Sequence, residues 1–181
     1  MKKFISAAIV AIVSVLAVTL SACGAETVQS AKKKYEDSLE KVKTVVTTVD
    51  YTDGGVSIYS EKRTLEFGGE ATLTVEKTQL DAITYKPVTK TTSEKTDVKR
   101  SGLKAVELDE TLIDSGYSIE NGVISGSVSG ERVKKFFGGE LPAFGSVAFK
   151  ITLSDKKVAS IEYSFTTLEM KHAEVKISYA Y

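Results

Sequence analysis

The sequence is poor in the residues that most chemistry needs. It has no tryptophan, one cysteine, one histidine and two prolines. A single cysteine excludes an intramolecular disulfide framework and any cysteine-cluster metal site. A single histidine excludes His-rich metal centres and most imidazole acid–base constellations. Charge of one sign is lacking too, since 24 Lys and Arg stand against 24 Asp and Glu. A nucleic-acid binder needs a basic surplus, so no nucleic-acid partner is expected. Nor is there an uninterrupted apolar run of the about 20 residues that a permanent membrane span requires. The 181 residues amount to one domain with a core of its own.

What is present begins with Lys2 and Lys3, then an apolar stretch from Phe4 to Leu20 broken by Ser6, Ser14 and Thr19. A charged start, a short apolar run and small residues at its end make the pattern of an export signal. The stretch closes on Leu20-Ser21-Ala22-Cys23. These four residues resemble the lipobox of bacterial lipoproteins. The resemblance implies cleavage before Cys23 and diacylglyceryl transfer to its sulfur, which is a nucleophile as the thiolate. Each buried CH₂ contributes about 0.8 kcal/mol, so two or three acyl chains hold firmly where one holds marginally. The expected organisation is a signal peptide at 1–22, a lipidated tether at 23–26 and a single β-rich domain at 27–181. The expected location is the extracytoplasmic face of the bacterial cell membrane.

Beyond the tether, Val28, Ala31, Tyr35, Leu39 and Val42 recur at spacings of three and four, which predicts one helix, with Thr27 placed to cap it. From Thr44 the chain turns β-branched. Asp53-Gly54-Gly55 and Gly68-Gly69 read as turns around a strand from Val56 to Phe67, followed by alternation at Ala71, Leu73 and Val75. A short strand is expected around Ile83 and Tyr85. Lys86 to Arg100 reads as a solvated hairpin or long loop, and Val106 to Leu112 as an ambiguous segment with strand character. Asn121-Gly122 between two apolar runs is a hairpin signal. Glu131 to Phe137 reads as a short helix stopped by Gly138. The clearest alternation comes last, at Val147, Phe149, Ile151 and Leu153, at Ile161, Tyr163 and Phe165, and at Val175, Ile177, Tyr179 and Tyr181. Period-two alternation means one buried and one wet face, so these strands form an antiparallel meander.

The expected fold is mainly β, in the α+β sense: a curved antiparallel sheet or half-barrel with an N-terminal helix packed on its concave face. One helix about 10–12 Å wide covers only two or three strands spaced about 4.8 Å apart. The remaining apolar face must curl on itself or enclose a cavity. Lipobox, short tether, helix and strand run together are similar to the lipid-carrier lipoproteins of the LolA and LppX type, and to small lipoproteins of Gram-positive-type bacteria. The first resemblance implies an unclosed barrel that holds acyl chains.

No catalytic constellation stands out. His172 shares parity with Glu174 and Lys176 on the wet face of its strand, and no nucleophile elbow surrounds any serine. Asp109, Glu110 and Asp114 lack calcium-loop spacing. The expectation is therefore a non-enzymatic binding module without cofactor or metal, monomeric, held to the membrane through Cys23. An apolar small molecule or lipid is the expected ligand, with Phe149, Ile151, Tyr163, Phe165, Ile177 and Tyr179 as its apolar wall. The alternative is an envelope structural or protein-interaction module with a filled core.

Overall fold

The computed structural model describes residues 27–155 and 157–181. The lipobox, the cleavage point and the tether lie outside them. Helix α1 (Val28–Leu39) starts at a capping box. Thr27 Oγ1 accepts from the Ser30 N–H (3.1 Å), and Ser30 Oγ accepts from the Thr27 N–H (3.0 Å). These bonds satisfy two N–H groups that the helix leaves free.

Strands β1 (Thr44–Asp53), β2 (Val56–Phe67), β3 (Ala71–Leu80) and β4 (Pro87–Thr96) form one meander. Strands β5 (Ser118–Glu120), β6 (Val123–Val128), β7 (Ala143–Ser154), β8 (Lys157–Thr167) and β9 (His172–Ala180) form another, with helix α2 (Arg132–Phe136) between β6 and β7. Pairing of β1 with β9, from Thr44 with Ala180 to Thr52 with His172, joins the two into a single antiparallel sheet. Its order is β4-β3-β2-β1-β9-β8-β7-β6-β5, curled but unclosed, with β4 and β5 as edges.

The curl separates two environments on the concave face. Over β6 to β9 that face is packed. Val147, Phe149, Ile151, Val158, Ile161, Phe165, Val175, Ile177 and Tyr179 are buried in one core with Val28, Ala31, Tyr35 and Leu39 of α1. Residues 103–113 cross the same face without becoming a strand. Their backbone groups are satisfied elsewhere: Tyr35 Oη accepts from Ala105 N (2.7 Å) and Val106 N (3.3 Å), and Glu107 N donates to the Phe136 carbonyl (2.6 Å). The strand character read at Val106 to Leu112 thus belongs to a buried irregular segment, ending in a single 3₁₀ turn at Glu110–Leu112. Over β1 to β3 the concave face is largely half-buried.

Two more segments differ from expectation. Ile83 and Tyr85 sit in the β3–β4 turn rather than in a strand. Asp81 Oδ1 accepts from Ile83 N (3.1 Å), Thr84 N (2.7 Å) and Thr84 Oγ1 (2.9 Å), so a carboxylate-organised turn overrides β propensity. The stretch read as a solvated hairpin or long loop contains the ten-residue strand β4. It is polar because both of its faces are wet, so no apolar alternation marks it.

Two glycines are required by contact. A Cβ on Gly122, in the β5–β6 turn at φ +76°, would lie 2.9 Å from the Leu153 carbonyl oxygen. Gly126, opposite Phe149, lets that ring approach, since a Cβ there would meet Tyr117, Ile113 and Phe149 at 3.0–3.3 Å.

Candidate functional site

The candidate site is the mouth of the half-barrel, at the end where β1, β3 and β8 finish. Tyr51 on β1 is paired with Tyr59 on β2, so both rings stand on the concave face. They meet edge to face, with centroids 5.9 Å apart at 62°. A bulge at Tyr51/Thr52 shifts the register so that Tyr51 faces Tyr59. Across the mouth the β8–β9 turn is tied down by Leu168 N donating to the Pro142 carbonyl (3.1 Å) and by Met170 N donating to that of Thr167 (2.9 Å). Between these parts lies a cavity of 390 Å³, lined by Tyr51, Ile58, Tyr59, Pro142, Thr167, Leu168, Glu169 and Lys171. Pro142 and Tyr59 line it together although β1, β9 and β8 separate their strands, which measures how far the sheet curls.

Around the mouth stand Val56, Phe144, Leu168 and Met170, all large, apolar and exposed, with Leu168 at 69 % and Met170 at 70 %. Met170 holds φ +64°, a conformation that side chains beyond glycine and asparagine adopt at a cost.

Inward, the aromatic row continues. Tyr163 and Phe165 are stacked with centroids 6.5 Å apart, and Phe137, just after α2, lies 4.7 Å from Tyr163. Phe136 lies 4.8 Å from Phe149. Burial, and then the nearby Tyr51, push the Tyr163 phenol above its ordinary range. Among the described residues neither the Tyr51 nor the Tyr163 hydroxyl makes a hydrogen bond.

One strand step from Tyr59 sits the polar part of the site. Tyr59, Glu61 and Arg63 share the concave face of β2, and Lys77 stands opposite Glu61 on β3. The Glu61 side chain is 5 % exposed. It accepts from the Tyr59 hydroxyl and the Arg63 guanidinium, and Lys77 Nζ is 3.3 Å away. Burial alone would raise this carboxyl, but its three partners together hold it below the usual carboxylate range. The Tyr59 phenol is pushed up to about 12, first by burial and then by its bond to Glu61.

The six residues read as an apolar wall divide. Phe149, Ile151, Phe165, Ile177 and Tyr179 are buried in the core, with Tyr179 Oη donating to the Leu103 carbonyl (3.4 Å). Tyr163 is half-buried and lies beside the core, adjoining the mouth. Tyr51, Tyr59, Glu61, Pro142 and Leu168 were not legible as site residues. Tyr51 and Tyr59 flank the Asp-Gly-Gly turn, which is a signal for pairing, but the bulge that brings them face to face leaves no mark in the sequence.

The remaining polar candidates serve structure. His172 is exposed, 3.1 Å from Glu174. Asp109 caps the 3₁₀ turn, Glu110 accepts from the Tyr117 hydroxyl, and Asp114 is bound to Arg132, Ser127 and Ser129. A hollow of 510 Å³ on the convex face is rimmed by charges such as Glu162 and Lys176, which pair with each other at 2.8 Å. Among the described residues no group of three or more His, Cys, Asp or Glu could hold a metal, and no helix is long and apolar enough to cross a membrane.

Fold and site together define an open antiparallel half-barrel with a helix-packed half and an aromatic mouth. No protein-family model matches the chain, and no curated protein matches it. Among solved structures it is similar to a redesigned β-barrel, mFAP1, bound to DFHBI, with 9% identity over 80% of this chain and 98% of that one, at a TM-score of 0.24. A second redesigned barrel, b11L5F_LGL, shares 10% identity over 81% and 96% of the two chains, also at 0.24. A third barrel, from the de novo design of a fluorescence-activating β-barrel, matches at 8% identity over 80% and 98%, with a TM-score of 0.23. Scores this low carry no argument about function.

Proposed function

We propose that the protein is a membrane-anchored extracytoplasmic binding module, non-enzymatic, whose concave mouth takes a lipid or other apolar small molecule. The observation that carries the ligand is the 390 Å³ cavity between the Tyr51–Tyr59 pair, Pro142 and Leu168. Its volume lies in the range of small-molecule sites, and it combines an apolar lining with few polar groups. The Tyr51 hydroxyl, which makes no hydrogen bond among the described residues, offers a point of orientation to a ligand with a polar end. Support for the anchor is the sequence Leu20-Ser21-Ala22-Cys23 alone. The packed core over β6 to β9 favours a second reading, a filled module that acts through its surface.

Native mass spectrometry of the full-length protein, extracted in mild detergent, separates the two. A co-purified apolar species, lost in Tyr51→Ala and in Leu168→Asp while the fold persists, is the expected result. Wild-type protein that carries nothing and leaves a fluorescent fatty-acid probe unbound would defeat the ligand reading. Metabolic labelling with a lipid precursor tests the anchor independently, since label must vanish in Cys23→Ala.

A further inference from the structure

Strand β4 is a sheet edge with an unusual balance of charge. All ten residues pair with β3 without a bulge, from Leu80 with Pro87 to Ala71 with Thr96. All but Thr96 are exposed, so the outer side of the strand offers a straight row of backbone donors and acceptors. Pro87, the first residue, removes a donor only at the end of that row. Two of its charges are badly placed within one chain. Lys90 faces Lys77, a like charge directly opposite, and Glu94 faces Leu73. Among the described residues neither Lys90 nor Glu94 makes an ion pair.

Both residues lie on the concave side and are related symmetrically about Thr92. We infer that β4 pairs antiparallel with β4 of a second copy about a two-fold axis at Thr92, so that Lys90 of each chain faces Glu94 of the other. This register sets Thr91 against Ser93 and Thr89 against Lys95, and both charges missing a partner in one chain acquire one. Moving the axis to Thr91 or Ser93 matches no charges. Axes at Lys90 or Glu94 set like charges together. The sheet would then run unbroken through both copies, with two concave mouths. A strand pair alone is a small interface, so the dimer is a weak one, and the monomer expected from the sequence is its dilute state.

Sedimentation equilibrium of the full-length chain in density-matched detergent, from about 10 μM to about 1 mM, tests this. The expected result is a monomer–dimer equilibrium that weakens as salt rises. Lys90→Glu and Glu94→Lys should each weaken the dimer about tenfold or more, because each creates two like-charge pairs. The double reversal should return the affinity to within about threefold of wild type. A monomer at every concentration overturns the inference. So does a dimer indifferent to either reversal, or a folded double variant that fails to recover. Should a reversal unfold the chain by circular dichroism, the salt dependence of the wild type decides, and a salt-independent dimer overturns the pairing.

Discussion

At the residue scale the concave face of β2 poses a sharp question, because Glu61 is a carboxylate almost closed off from solvent. It is tolerable there only because a phenol, a guanidinium and an ammonium surround it. The side chains of Arg63 and Lys77 are themselves more than half exposed, so solvent screens both pairs and the net gain is modest. Glu61→Gln is expected to cost about 1 kcal/mol at pH 7. The sign with pH follows from the lowered carboxyl: its contribution is complete above the unfolded value of about 4.3 and is lost as pH falls through the folded one. Urea unfolding should therefore show a gap between wild type and variant at pH 7 that closes in acid. A gap of equal size at pH 2.5 would mean that shape, and not charge, is what Glu61 supplies. Nothing in the sequence marks this residue. It lies in the polar run Ser60-Glu61-Lys62-Arg63-Thr64, where alternation is silent, and two of the residues set against it, Val49 on β1 and Lys77 on β3, are brought opposite it only by the fold.

At the element scale β9 is the joint of the molecule. It pairs with β8 on one side and β1 on the other, so both meanders depend on it. Its last residues also fasten α1. Tyr181 Oη donates to the Val158 carbonyl (2.7 Å) and lies 3.0 Å from Ser38 Oγ, and Val158 N donates to Ser38 (3.3 Å). Deleting Ile177 to Tyr181 removes both Tyr181 contacts together with the pairing of Thr44 to Thr47. The shortened chain is expected to be insoluble or proteolysed on expression, whereas a soluble product with native circular dichroism would show that the meanders fold apart. The elements legible beforehand share a physical trait. α1 and the last three strands have one apolar and one wet face, so burial writes a period into them. β4 has two wet faces, residues 103–113 are buried without a ladder, and Ile83 and Tyr85 are apolar yet exposed. In those three places the period says nothing about the structure, and local hydrogen bonding decides.

At the scale of the whole molecule the two halves of the sheet do different work, one filled by α1 and residues 103–113, the other holding polar and aromatic groups in a shallow trough. Their ionisable groups are perturbed in ways that bound stability on both sides of neutrality. Glu61 on the open half, and Glu107 and Glu162 elsewhere, are held below the usual carboxylate range. Lys104 and Lys32 act on Glu107, and Lys176 acts chiefly on Glu162. In acid the unfolded chain takes up protons before the folded one does, so stability must fall as pH drops below about 4.5. On the filled half, burial raises the phenols of Tyr35, Tyr163 and Tyr179. Above about pH 10 the unfolded chain releases phenolic protons that the folded chain keeps, so stability must fall again. A series of thermal midpoints from pH 2 to 11 should show a plateau between two declining limbs, and the tyrosinate absorbance that disappears in the Tyr35→Phe, Tyr163→Phe and Tyr179→Phe variants should arise only with unfolding on the alkaline side. A midpoint that climbs between pH 5 and 3 would contradict the pairing of Glu61, Glu107 and Glu162, and ionisation of the Tyr35 or Tyr179 phenol in the still-folded protein would contradict the packing of that half around them.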